Sequence, residues 1–114
     1  MGPFRLLWLL AALLASAPLR AAEQHVSFEV RQQRIADPAP TVRVMQGDTL
    51  VLELRSDVAL DAHLHGYDLT LLLKPGKPGR LKLVANILGR FPLAPHNAGH
   101  HHGRTLLYVE VVPR

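Results

Sequence analysis

After residue 22, apolar and polar residues alternate with a period of two along most of the chain, the spacing of a strand with one buried face. Over 25–34, Val26, Phe28 and Val30 share one face while Ser27, Glu29 and Arg31 share the other. Asp37-Pro38-Ala39-Pro40 breaks the pattern. It resumes over 41–45 with Val42 and Val44, turns at Gln46-Gly47-Asp48, and places Leu50, Leu52 and Leu54 on one face of 49–55. A polar connection is expected over 56–62. A strand-like stretch over 63–74 follows and ends at Pro75-Gly76-Lys77-Pro78-Gly79. Residues 80–85 place Leu81 and Leu83 inward, and 90–94 place Phe91 and Leu93 inward. The stretch 96–104 reads as a loop, and in 105–112 Leu107, Val109 and Val111 alternate around Tyr108 and Glu110. About seven short strands at this spacing predict an all-β Greek-key sandwich of two packed antiparallel sheets, with no helix of useful length.

The start of the chain does not alternate. Residues 1–5 carry one positive charge, 6–15 are an unbroken apolar run, and Ser16, Ala17 and Pro18 form a small-residue, helix-ending region. That is the pattern of a secretory signal. The run falls short of the roughly 20 apolar residues that span a bilayer, so an uncleaved anchor is the weaker reading. A cut after Ala21 or Ala22 puts Leu19 or Arg20 three residues before the bond, and a cut after Ala17 leaves Pro18 at the new terminus. A mature start at Ala22 or Glu23 is expected. The chain then divides into a signal over 1–22 and a single domain over 23–114, exported to the periplasm and free of the membrane after cleavage.

Composition narrows the function. The formal charge is +4, but Arg5 and Arg20 leave with the signal. No run of Lys or Arg remains and aromatic content is 5%, so nucleic-acid binding is unsupported. There is no cysteine, hence no disulfide, no lipid-bearing cysteine and no thiol nucleophile. A domain of this size must be held by its core, with a metal as an additional staple. No G-x-S-x-G motif and no close pair of acids is present, so the chain does not read as an enzyme. A histidine-held metal with an open position that activates water or oxygen is the residual catalytic option.

Seven histidines are the compositional oddity, and all lie after residue 22. His25 stands alone. His63 and His65 form one group, and His96, His100, His101 and His102 form another. On a continuous strand over 63–74, His63 and His65 share a face with Tyr67, Leu69, Leu71 and Leu73. They would then extend the core-facing row at one end of the sandwich, unless a bulge at Gly66 reverses the parity. Two neutral imidazoles there suit a divalent metal ion. The plainer alternative is a pair of edge histidines satisfied by backbone groups or water. The segment Pro95-His96-Asn97-Ala98-Gly99-His100-His101-His102-Gly103 can bend the second group toward the first. The expected ligands are His63 or His65, with His96 and one of His100, His101 and His102. Otherwise the loop is a solvated polar tract that binds metal adventitiously. Without a thiolate a blue-copper centre is excluded, and an all-imidazole site suits Cu(II) or Zn(II), with copper favoured. Asp61 and Asp68 are placed to orient imidazoles, although solvated acids are their commoner role, and Met45 is expected in the core.

Pro40-Thr41-Val42-Arg43-Val44-Met45-Gln46-Gly47-Asp48-Thr49-Leu50-Val51-Leu52 resembles the opening of cupredoxin domains. There a strand, a Gly-Asp turn and a second strand precede the first metal histidine. His65-Gly66-Tyr67 is similar to the His-Gly-aromatic step that follows in several of them, Gly89-Arg90-Phe91-Pro92-Leu93 looks like the strand leading to the remaining ligands, and 105–113 looks like the final strand. The resemblance covers nearly all of the mature chain through short motifs. It is closest to bacterial periplasmic cupredoxin-like proteins with His-Gly-Tyr-Asp and a His-rich loop near the C-terminus. It implies a Greek-key sandwich with a copper site at its loop end and His65, or His63, at the first copper position. Pro95 falls roughly where the ligand cysteine would be, and no methionine follows, so a blue-copper electron carrier is not expected. The reading that results is a periplasmic, non-enzymatic module that holds copper through histidines, for sequestration or for delivery to another exported copper protein. The alternatives are a metal-free structural or protein-interaction sandwich, and an electron-transfer or mononuclear copper redox protein.

Overall fold

The structure is a computed structural model that describes residues 21–96 and 104–114. Eight strands follow one another: β1 (Glu23–Val30), β2 (Thr41–Met45), β3 (Thr49–Ser56), β4 (Leu60–Leu64), β5 (Leu69–Leu73), β6 (Gly79–Val84), β7 (Gly89–Pro95) and β8 (Leu107–Val112). They form a three-stranded sheet in the order β1-β3-β6 and a five-stranded sheet in the order β2-β8-β7-β4-β5. The all-β sandwich expected from alternation is the observed class.

The core lies where the alternation puts it. Leu50, Leu52 and Leu54 on β3 are fully buried and meet Leu64, Leu93, Leu107 and Val109 from the larger sheet. Each such side chain contributes about 1.5–3 kcal/mol through its burial. β3 is the central strand of its sheet, parallel to β1 with Leu50 opposite Gln24 and antiparallel to β6 with Leu50 opposite Leu83. The Gln46-Gly47-Asp48 turn is tied by Asp48 N–H to the Met45 carbonyl (3.0 Å) and by Gly47 N–H to the Ala85 carbonyl (2.8 Å). Gly47 adopts a φ of 91°, a conformation that favours glycine.

Several expectations change. The sheets are mixed, not antiparallel, because β1 pairs with β3 and β2 with β8 in parallel. Both β1 and β2 are followed by crossings between sheets, and such crossings release a strand from the antiparallel direction a hairpin imposes. The expected strand over 25–34 ends at Val30, and Arg31 and Arg34 close a tight turn by reciprocal backbone bonds of 2.8 and 3.0 Å. The expected connection over 56–62 is shorter, since β4 already begins at Leu60. The stretch 63–74 is a hairpin, not one strand, with a turn over 65–68 between β4 and β5. Met45 is 43% exposed and outside the core. Residues 1–20 of the expected signal, and His100, His101 and His102, lie outside the described residues.

Candidate metal centre

The hairpin decides which way the histidines face. On β4, Leu60, Ala62 and Leu64 are buried, so Asp61 and His63 point outward. The expectation that His63 continues the core-facing row is therefore corrected. Burying three apolar side chains sets the strand's register, and the turn over 65–68 resets the parity before Leu71 and Leu73 point inward on β5. His63 pairs across the hairpin with the exposed Thr70.

The outward-facing histidines nevertheless come together. The rings of His63 and His65 meet edge to face with centroids 4.8 Å apart and an interplanar angle of 89°. His96 lies on the other side of His63, with centroids 6.3 Å apart and the rings tilted by 58°. The neighbouring strands hold this row in place. His63 stands opposite Ala94 of β7. The N–H of His96 donates to the Asp61 carbonyl (2.7 Å), and the N–H of His65 donates to the Pro92 carbonyl (3.1 Å). Three imidazoles thus lie on one outer surface, the half-buried His63 on β4, the exposed His65 in the turn that follows it and the exposed His96 just after β7.

Asp68 closes the hairpin onto this row. Its carboxylate Oδ1 lies 2.9 Å from His63 Nε2, from a residue in the left-handed conformation at φ 53°. A carboxylate only accepts, so Nε2 carries the proton and the lone pair of the neutral ring sits on Nδ1. The turn that places Asp68 is itself braced. Gly66, at φ 88°, lies against Phe91, where an added Cβ would collide with the ring, 2.6 Å from Cε1. Phe91 meets the edge of Tyr67 at 4.9 Å and 84°. The Tyr67 hydroxyl donates to the Ile87 carbonyl (2.9 Å) and accepts from the Ile87 N–H (3.0 Å). His-Gly-Tyr-Asp thus becomes a rigid turn in which the Gly is required by Phe91, the Tyr anchors the neighbouring loop and the Asp orients His63. Alternation could not reveal these contacts with Phe91 and Ile87, because they join residues about twenty or more positions apart.

The donor chemistry fits a borderline metal ion, since imidazole suits copper and zinc, and the chain has no thiolate. Among the described residues, no three His, Asp or Glu side chains already converge as a ligand set. His63, His65 and His96 are neighbours in a row, not a closed shell.

No family model matches the chain, and no curated protein matches it. Solved structures do. A copper binding protein whose apo form was determined by NMR in solution aligns with a TM-score of 0.61 at 12% identity, over 82% of this chain and 91% of that one. A chain of a heme-copper terminal oxidase dimer aligns at 0.58 and 19% identity, over 78% of this chain and 65% of that one. The blue copper oxidase from Nitrosomonas europaea aligns at 0.51 and 20% identity, over 64% of this chain and 31% of that one. The chain therefore spans less than two thirds of either oxidase chain. These likenesses define the class of the fold, a cupredoxin-like β-sandwich.

Proposed function

We propose that this protein is an exported, non-enzymatic copper-binding module that holds Cu(II) through imidazoles on the outer face of β4 and β7. The observation that carries the proposal is the contiguous row of His65, His63 and His96, with His63 hydrogen-bonded to Asp68. Imidazole is a good ligand for Cu(II), and divalent affinities at nitrogen sites peak at copper. His63 would ligate through Nδ1, because Asp68 occupies Nε2, and a carboxylate behind a histidine both fixes the ring and raises its basicity. His65 and His96 flank it. His100, His101 and His102 follow His96 closely in sequence and can complete the shell. The sandwich fixes β4 against β7, so two of the three imidazoles need no large backbone movement to approach one ion. The copper-related fold class supports the choice of metal. A module of this kind would sequester periplasmic copper or pass it to another exported copper protein.

The test is titration of the mature protein with Cu(II), followed by EPR and by thermal unfolding. One equivalent bound with nitrogen hyperfine structure is expected. A native-state ligand at 100 times its Kd stabilises by about 2.7 kcal/mol, which a melting curve resolves easily. The double substitution His63→Ala and His96→Ala should abolish both signals. An unchanged stoichiometry and spectrum in that variant would refute the site. The absence of any thermal gain with Cu(II) or Zn(II) would turn the reading to a metal-free docking sandwich.

A further inference from the structure

Away from the row of histidines, a nearly buried carboxylate meets the residue that precedes β1. Asp48 is 7% exposed and closes the turn between β2 and β3. Its Oδ1 accepts from the backbone nitrogen of Ala22 at 2.9 Å and from the Arg114 guanidinium. The Ala22 carbonyl in turn accepts from Thr49 N–H at 2.9 Å. Ala22 is therefore built into the domain through both its backbone groups, one residue before β1 begins at Glu23.

The sequence allows the mature protein to begin at Ala22 or at Glu23. These contacts separate the two. A cut after Ala22 would remove both groups, leaving the Thr49 N–H without its acceptor and Asp48 without its backbone donor, and a polar group left unpaired in a folded domain is destabilising. A cut after Ala21 keeps both. It also converts the neutral amide donor into an ammonium ion against a nearly buried carboxylate, and charge-assisted hydrogen bonds are about twice as strong as neutral ones. Leu19 and Ala21 then stand third and first before the bond, of which Ala21 is the small residue that signal cleavage favours.

We infer that the Ala21–Ala22 peptide bond is the processing site, and that the α-ammonium it releases docks on Asp48 as a structural ion pair. Signal peptidase supplies the catalysis and water the second reactant. The water oxygen bonds to the Ala21 carbonyl carbon, the C–N bond breaks, Ala21 leaves as a carboxylate, and the Ala22 nitrogen takes up protons to become the ammonium. Processing would then complete a three-membered cluster of Ala22, Asp48 and Arg114, joining the start of the mature chain to the segment that follows β8. The inference is independent of copper and is tested without it.

Two measurements decide it. The intact mass of the full-length chain after export should correspond to 22–114; a start at Glu23 or Pro18, or an uncut chain, would overturn the site. For the pair itself, metal-free protein beginning at Ala22 is compared with protein carrying Gly-Ser ahead of Ala22, each with Asp48 and with Asp48→Asn. The extension should lower the melting temperature by about 4–8 °C when Asp48 is present, the shift that losing one such interaction produces in a domain of this size. It should have little effect in the Asp48→Asn background, where the side chain is a neutral amide. Equal losses in both backgrounds, or none in either, would overturn the ion pair. If Asp48→Asn does not fold, Nα-acetylation of the Ala22 protein gives the same readout, and an unchanged melting temperature would overturn it.

Discussion

Replacing Gly66 with alanine tests whether Phe91 and the left-handed backbone together require glycine in the His-Gly-Tyr-Asp turn. Two costs add. Gly66 has a φ of 88°, and an L-residue in the left-handed region loses about 1–2 kcal/mol. The new Cβ would also strike Phe91 Cδ1 and fall 2.6 Å from Cε1, well inside van der Waals contact. Phe91 cannot swing away freely, because the Tyr67 edge packs on it at 4.9 Å and Tyr67 is bonded to both backbone groups of Ile87. Forcing atoms into a packed site costs typically about 1–3 kcal/mol, so the whole effect should be about 2–5 kcal/mol. A domain with a total stability of about 5–15 kcal/mol shows that plainly in urea unfolding. The chain's one tryptophan is Trp8, in the expected signal, so the probes are far-UV circular dichroism and tyrosine fluorescence. In a Phe91→Leu background the steric part should vanish and leave about 1–2 kcal/mol from the backbone alone. A loss below about 1 kcal/mol in the native background, or the same loss with and without Phe91, would show that Phe91 does not exclude a side chain at position 66, since residues in contact must show coupling.

Three further outcomes are expected. Asp68→Asn should weaken Cu(II) binding by about tenfold or more, the usual effect of losing a partner behind a metal-binding histidine. It should leave urea stability within about 0.5 kcal/mol, because the Asp68 side chain is 97% exposed; isothermal titration and unfolding curves measure the two separately. Tyr67→Phe removes the hydroxyl that holds Ile87 by two bonds. It should cost about 1 kcal/mol and speed hydrogen exchange at the Ile87 amide, as seen by NMR. Leu52→Ala, at a fully buried position in the middle of β3, should lower the unfolding free energy by about 2–5 kcal/mol without changing copper stoichiometry.

The contrast between β3 and the 63–74 stretch shows what alternation carries and what it hides. Leu50, Leu52 and Leu54 repeat every second residue and are buried together, because a period of two maps directly onto one face of a strand. His63, His65, Tyr67, Leu69, Leu71 and Leu73 keep the same period, yet they do not share a face. A turn over 65–68 interrupts them, and residues before and after a turn need not keep phase. Gly66 is the one local mark of that interruption, and its role depends on Phe91, a residue from another strand.

The chain's own residues thus determined the all-β class, the leucine and valine core and the types of donor available: imidazoles and carboxylates, with no thiol. Those follow from side-chain chemistry and from a periodicity that needs no partner to be read. Tertiary structure decided the rest. It made two parallel pairings by crossing between sheets, turned His63 outward so that Leu60, Ala62 and Leu64 could be buried, and brought His96 beside it through the β4–β7 pairing. It also joined Asp48 to Ala22 and Arg114. Each of these depends on contacts between residues far apart in sequence, whose order is set by which apolar faces can be buried together, and local pattern holds no record of that.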